Sequence, residues 1–352
     1  MKPTRRELLG AAAGVVASRL PAAHAETGKP IVSIVKIERG NIDAAVEHAI
    51  ELLGGMRALT QGKERILLKP NLVAPMPSAT TKRAVIRTLA RLMKAVQKDV
   101  SIGEGSAVVP PFNVQGSEVF RTSKPDLLNR MQQYCFDQLG YTELAQSLRV
   151  PLINLHTGEL GDVTVPGAFV FEKITLHRTL IETDLLCSVP MMKTHTLAAV
   201  SLGMKNLIGA YPGTVYQSVR GRMHDAAGQI EPSGTASAIV DIVRANKLGL
   251  VVIDGSSAME GNGPTQGKLL PMDTIVAGVN PLATDMVAAS LMGFKPPEIS
   301  TFIWANKAGL RPERLDEIEI RGEPLNSVRR KFARPWIMPW SITRNVWATR
   351  EI

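Results

Sequence analysis

Two lysines, a histidine and an asparagine interrupt the apolar and small-residue stretch from Cys187 to Pro212: Lys193, His195, Lys205 and Asn206. Lysine amines can clamp a carboxylate or phosphate, and an imidazole can move a proton near neutral pH. Lys193 and His195 are alternate residues, so in extended chain they share a face while Thr194 points the other way. A lysine on that face favours a neutral imidazole, suited to accept a proton. The run Leu185 to Val189, closed by Pro190, reads as a buried strand, with Lys193, Thr194 and His195 emerging just past its carboxyl end. Open α/β sheets bind their ligands there.

A second stretch, Val251 to Gly267, has the same form: an apolar strand ending at Asp254, then a glycine-rich loop carrying Glu260 and Asn262. Lys69 closes the strand pattern RILLKP and either snorkels to the surface or points into the ligand crevice, with Asn71 in the turn that follows. Glu104 ends another strand, and the small residues of SLGM before Lys205 allow close backbone approach to a ligand. The expected site therefore has His195, Lys193 and Lys205 in catalytic roles, with Lys69, Asn71, Glu104, Asn206 and Asn262 toward a small anionic substrate. The alternative is a structural network in which the lysines pair with Asp254, Glu260 and Asp285. Those three carboxylates would suit Mg²⁺ or Ca²⁺, although their spacing matches no defined metal loop. No His/Cys cluster suggests zinc. With only Cys135 and Cys187, far apart, an iron–sulfur cluster is not expected, and two buried free thiols are the simpler reading than a disulfide. His224 and Asp225 read as a polar pair in a surface loop. The glycines near Gly103 and Gly105 match no phosphate-binding or dinucleotide fingerprint.

Five ordered motifs carry a family resemblance: KPNLV at Lys69 to Val73, KTH at Lys193 to His195, SLGMKNLIG at Ser201 to Gly209, DGSSAMEGNGPTQG at Asp254 to Gly267, and NPLATDMVAASLMG at Asn280 to Gly293. Across most of residues 65 to 295 the chain resembles the proteins grouped as domain of unknown function 362. The resemblance implies a fold family without a settled reaction. Many relatives carry a cysteine-rich ferredoxin-like segment that this sequence lacks, and relatives often have a lysine near the position of Met191.

The elements that must position these residues alternate along the chain. Strands are expected at IVSIVKI, RILLKP, DVSIGEG, PLINL, DLLCSVP, GLVVID and TIVAGV, with a β-rich patch through VTVPGAFVFEKITL. Helices are expected after Asn41 as N-cap, with Gly54 and Gly55 as stop, then over 82–97, 124–139, 235–247 and from Pro281 to Met292. This alternation predicts a layered α/β fold with a mostly parallel sheet flanked by helices and a smaller β-rich patch.

At 352 residues, 45% hydrophobic and 21% charged, the chain can bury a large core. The first 25 residues read as a separate object: Thr4-Arg5-Arg6-Glu7-Leu8-Leu9, a short Ala/Val-rich run and Ala23-His24-Ala25 form a twin-arginine export signal, expected to be cleaved after Ala25. Its apolar run falls short of the roughly 20 residues of a membrane span. A periplasmic, extracytoplasmic protein follows. Of the net charge of +9, the signal accounts for +3 and residues 321–352 for +5, so the body from 26 to 320 is nearly neutral. No basic reading face for nucleic acid is expected. The tail interleaves Trp336, Trp340 and Trp347 with Arg334, Arg344 and Arg350 behind Arg329, Arg330 and Lys331, while Pro335 and Pro339 prevent one continuous helix. Such a segment either packs as an arm on the domain or docks on a membrane surface or a partner.

Overall fold

A computed structural model describes residues 28–231, 235–336 and 350–352. The signal segment, and Pro339, Trp340, Arg344 and Trp347 of the tail, lie outside the described residues. Eleven strands form the central sheet: β1 Ile31–Lys36, β2 Arg65–Pro70, β3 Asp99–Glu104, β4 Leu152–Asn154, β5 Leu185–Val189, β6 Met191–His195, β7 Ala199–Ser201, β8 Leu248–Glu260, β9 Lys268–Leu270, β10 Thr274–Gly278 and β11 Glu319–Gly322. Its main order is β11-β1-β10-β8-β5-β2-β3-β4. The run β8-β5-β2-β3-β4 is parallel throughout, whereas β10 lies antiparallel between β8 and β1. The expected β-rich patch is a separate antiparallel pair, Leu160–Thr164 with Lys173–His177.

Helices cover both faces, and the strands show why. Ile66, Leu68, Val100, Ile102, Cys187, Leu250 and Val252 face one layer, built on α1 Ile42–Leu52, α2 Arg83–Ala95, α3 Pro125–Gln138 and α4 Tyr141–Leu148. Their immediate neighbours Leu67, Leu186, Val251 and Ile253 face the other layer, with α5 Gly221–Ala227, α6 Ala236–Ala245, α7 Pro281–Leu291 and α8 Ser300–Lys307. Strands that are apolar at every position are buried on both sides, as parallel sheets require. Helix ends obey local rules: Asn41 Oδ1 accepts the Ala44 N–H at α1, and Asn280 Oδ1 accepts the Ala283 N–H at α7, whose first turn holds Pro281. Residues Leu282 to Leu291 are all buried, so α7 is a central helix with no solvent face. Among the described residues no helix is long and apolar enough to cross a membrane.

The segment after residue 320 completes the fold at its start. β11 pairs in parallel with β1, and α9, Leu325–Val328, packs on α7. Arg330 and Phe332 donate backbone N–H groups to Leu291 and Met292, with the Phe332 ring buried. The Arg334 guanidinium lies 3.8 Å over the Phe294 ring. At the other end Arg121 donates its backbone N–H to Arg350 and accepts one from Ile352. The described parts of the tail therefore touch the domain through Phe332, Arg334 and backbone hydrogen bonds, while Trp336 stays exposed.

Candidate functional site

Lys69, Glu104 and Ser188 sit at the carboxyl ends of the parallel strands β2, β3 and β5. The chain after β7 brings Lys205 and Asn206 above them in a 3-10 helix, Lys205–Ala210. Lys69 is fully buried, and its amine makes a 2.8 Å ion pair with Glu104 Oε1. The same Glu104 oxygen accepts the Gly105 N–H at 2.7 Å, and Oε2 accepts the Leu72 N–H at 3.0 Å. Asn206 donates to the Lys69 carbonyl and to Ser188 Oγ, both at 3.0 Å, and accepts from Lys69 Nζ at 3.3 Å. A Cβ at Gly209 would overlap both Glu104 Oε1 and Lys69 Nζ, so glycine there lets the network close. Lys69, Glu104 and Asn206 were expected to face substrate; they are instead saturated by one another. Burial makes that pairing obligatory, because an unpaired charge here would cost several kcal/mol.

Sequence reasoning missed Arg220. Its guanidinium is buried and donates to five backbone carbonyls, those of Gly105, Ser106, Gly209, Tyr211 and Ser218. Burial lowers its pKa to about 10. The residue adopts φ of 57°, and nothing in the run YQSVRGR foretells that its first arginine enters the core. Buried His156 shares one of these carbonyls, with Nε2 2.7 Å from Ser106 O and Nδ1 accepting the Gly213 N–H.

Lys193 and His195 lie just past the carboxyl end of β5 in extended chain, as expected. They form part of a further strand, β6, because β8 runs on past Asp254 to Glu260 and pairs with it, Lys193 opposite Met259. The glycine-rich loop is correspondingly shorter than expected. The alternation holds: Thr194 Oγ1 points away and donates to the Gly261 carbonyl. Lys193 Nζ donates to the carbonyls of Ala79, at 2.8 Å, and Pro264, at 3.4 Å. Burial, then the Lys205 charge, lowers its pKa to about 7. His195 is held well below the usual histidine range by burial and then by Lys205, Lys193 and His224. Its Nδ1 accepts the Leu197 N–H at 3.0 Å, so the neutral ring carries its proton on Nε2. His224, expected in a surface loop, is a buried residue of α5, and its neighbour Asp225 forms an ion pair with Arg121.

Lys205 differs from the other bases. It is half-buried yet surrounded by protein, and burial followed by the charges of Arg220 and Lys69 lowers its pKa to about 8. Its amine has no hydrogen bond or ion pair within the described residues. Its backbone, in contrast, is clamped: Asp285 accepts the N–H groups of Gly203 at 2.7 Å and Met204 at 2.9 Å, and Asn206 is fixed as above. The close approach at Gly203 is to Val251 and Asp285.

The three carboxylates expected for a metal go separate ways. Asp254 accepts from Lys82 N at 2.7 Å, before the first turn of α2, and from Ser256. Glu260 accepts the Ala333 N–H of the tail, and Asp285, its pKa raised by burial to about 7, holds the lysine loop. Each is committed to backbone donors, and no group of three His, Cys, Asp or Glu residues able to hold a metal occurs among the described residues. Asn262 also leaves the site, accepting the Trp336 N–H at 3.0 Å. Asn71 Oδ1 is buried without a partner. Cys135 and Cys187 are buried free thiols, the former pushed up to about 12 by burial. Two open depressions of about 430 and 500 Å³ beside α4 include none of these site residues.

Residues 66–290, well over half of the chain, match the family described as Domain of unknown function (DUF362). The chain belongs to this family. All of the lysine cluster falls within the matched DUF362 region. The chain is similar to the Thylakoid-associated protein sll1697 of Synechocystis sp. (strain ATCC 27184 / PCC 6803 / Kazusa), 25% identical over 305 residues, which cover 86% of this chain and 84% of that protein. Among solved structures it is similar to the lactate racemase apoprotein from Thermoanaerobacterium thermosaccharolyticum, at 14% identity and a TM-score of 0.45, over 75% of this chain and 57% of that one. A Thermotoga maritima protein is similar at 16% identity and a TM-score of 0.35, over 72% of this chain and 58% of that one.

Proposed function

We propose that this DUF362 member is an exported enzyme whose basic cluster binds a small anion, a carboxylate or phosphate, while His195 exchanges a proton with it. The observation that carries the reading is an uncompensated charge. Among the described residues Lys69, Lys193 and Arg220 feel one carboxylate, Glu104, which Lys69 already uses, while Lys205 stands near Arg220 and Lys69 with no carboxylate paired to it. An anion beside Lys205 would restore the balance and raise the depressed lysine pKa values again. With Nδ1 taken by the Leu197 N–H, His195 presents Nε2–H as a hydrogen-bond donor, and it exchanges a proton only when Nδ1 is freed from that bond. The test is thermal denaturation in phosphate or acetate against chloride at equal ionic strength, for the wild type and Lys205→Met. Phosphate or acetate should raise the wild-type midpoint and leave the variant unmoved. Equal responses of the two proteins would overturn the reading.

Export by the twin-arginine route rests on residues 1–25 and places the mature protein in the periplasm. N-terminal sequencing of the periplasmic fraction should begin at Glu26; full-length protein confined to the cytoplasm would refute this. Docking of the tail on anionic membrane draws support from the exposed run Arg329, Arg330 and Lys331 near Trp336, which is 67% exposed, and from the printed name of the Synechocystis relative. Each base near such a surface contributes about 1 kcal/mol. Flotation with anionic vesicles should fall when the three bases are replaced by glutamine, and negligible binding by the wild type would exclude the membrane.

A further inference from the structure

Four bases converge at the carboxyl edge of the sheet, and three are fully used by the protein. Lys69 is paired with Glu104, Lys193 donates to two carbonyls, and Arg220 donates to five. Lys205 alone of the four has no partner among the described residues. It is also the least enclosed, while its own main chain is pinned on one side by Asp285 and on the other by the Asn206 bonds to Lys69 and Ser188. A rigid platform thus presents one amine to a site that draws anions, beside cations that disfavour its protonation. Enzymes activate lysine nucleophiles by this combination of desolvation and an adjacent cation.

We propose that Lys205 forms an imine with a small anion that carries a carbonyl group, such as a 2-oxo acid or a phosphorylated aldehyde. The inference rests on the anion-site reading and narrows its substrate class. In the step, the lone pair of the neutral amine adds to the carbonyl carbon, and one of the amine's own protons passes to the carbonyl oxygen. With one proton taken from solvent, the resulting carbinolamine loses that oxygen as water, leaving a protonated imine. One water is released, and no oxidant or reductant is consumed. The depressed pKa of Lys205 supplies the neutral amine near pH 8.

The test is trapping. Full-length mature protein is incubated with pyruvate, or separately with glyceraldehyde 3-phosphate, and sodium cyanoborohydride, and the reduced adduct is located by peptide mass spectrometry. Lys205 should be labelled at least roughly ten-fold faster than any other lysine. Lactate, with the same charge and no carbonyl, should give no adduct and should slow labelling by pyruvate. Lys205→Arg, which keeps the charge, should lose the fast label. Labelling spread evenly over exposed lysines, or fast labelling that survives in Lys205→Arg, would overturn the imine. If phosphate still stabilises the wild type but not Lys205→Met while no fast label forms, the anion site stands and the imine falls. If both effects are missing, both readings fall.

Discussion

Replacing Glu104 by glutamine tests whether the buried polar network holds the site together. The carboxylate serves three donors: the Lys69 ammonium at 2.8 Å, the Gly105 N–H at 2.7 Å and the Leu72 N–H at 3.0 Å. Glutamine retains one acceptor oxygen, so whichever way the amide faces, its NH₂ meets either Leu72 N–H or the pair formed by Lys69 and Gly105. At least one buried donor is then unsatisfied, at a cost of about 1–3 kcal/mol each. The larger part is the Lys69 charge, fully buried and now without a counter-ion; breaking one side of such a pair costs about 3–5 kcal/mol. Taking these as overlapping, Glu104→Gln should destabilise by about 4 kcal/mol, a large share of the stability of an ordinary domain. Lys69→Met with Glu104→Gln removes both charges, so the double variant should lie about 2–3 kcal/mol above the sum of the singles. Urea denaturation followed by circular dichroism gives all four corners of the cycle. Should Glu104→Gln fail to accumulate, recovery of folded protein in the double variant answers the same question. A loss below about 1 kcal/mol for Glu104→Gln, or additive singles, would show that the pair is not the closed network described.

Stability should rise with pH through the alkaline range. Lys193 and Lys205 are lowered in the fold to about 7 and about 8 from 10.5, so between those values and 10.5 the unfolded chain binds more protons than the native one. Each lysine then adds up to about 1.4 kcal/mol per pH unit, and Lys205→Met should flatten the slope in urea midpoints measured at pH 7, 8 and 9. Asp285, raised to about 7, acts in the opposite sense, with its contribution lost as pH rises toward 7, so a flat or falling profile above 7 would contradict the assignment. His195→Gln keeps an acceptor for the Leu197 N–H and should fold normally while abolishing turnover; unfolding with unchanged specific activity per folded molecule would make His195 structural. Phe332→Ala should cost about 3–5 kcal/mol, and truncation at Glu323 should lower the thermal midpoint, because both uncover the end of α7. An unchanged midpoint on truncation would remove the packed arm.

Much of the architecture is legible in the sequence because it depends on local periodicity. Continuous apolar runs such as RILLKP and DLLCSVP can be buried on two faces only in a covered parallel sheet, and the caps Asn41 and Asn280 act within three residues of themselves. The same logic puts Lys69 and Glu104 at the carboxyl ends of their strands, Lys193 and His195 on one face, and leaves Cys135 and Cys187 as buried thiols. What the tertiary structure alone decided is which polar groups satisfy one another. Lys69 meets Asn206 across 137 positions, Lys82 meets Asp254 across 172, and Glu260 meets Ala333 across 73. No period in the sequence encodes such pairings, since they depend on which strand ends the chain crossovers bring together. Arg220 entered the core unannounced because five carbonyls from three loops converge on it, and those carbonyls are a property of the backbone rather than of any residue type. A lysine near a strand end reads alike in every motif. Desolvation and partner geometry, present only in the folded chain, spend Lys69 on Glu104 and leave Lys205 open.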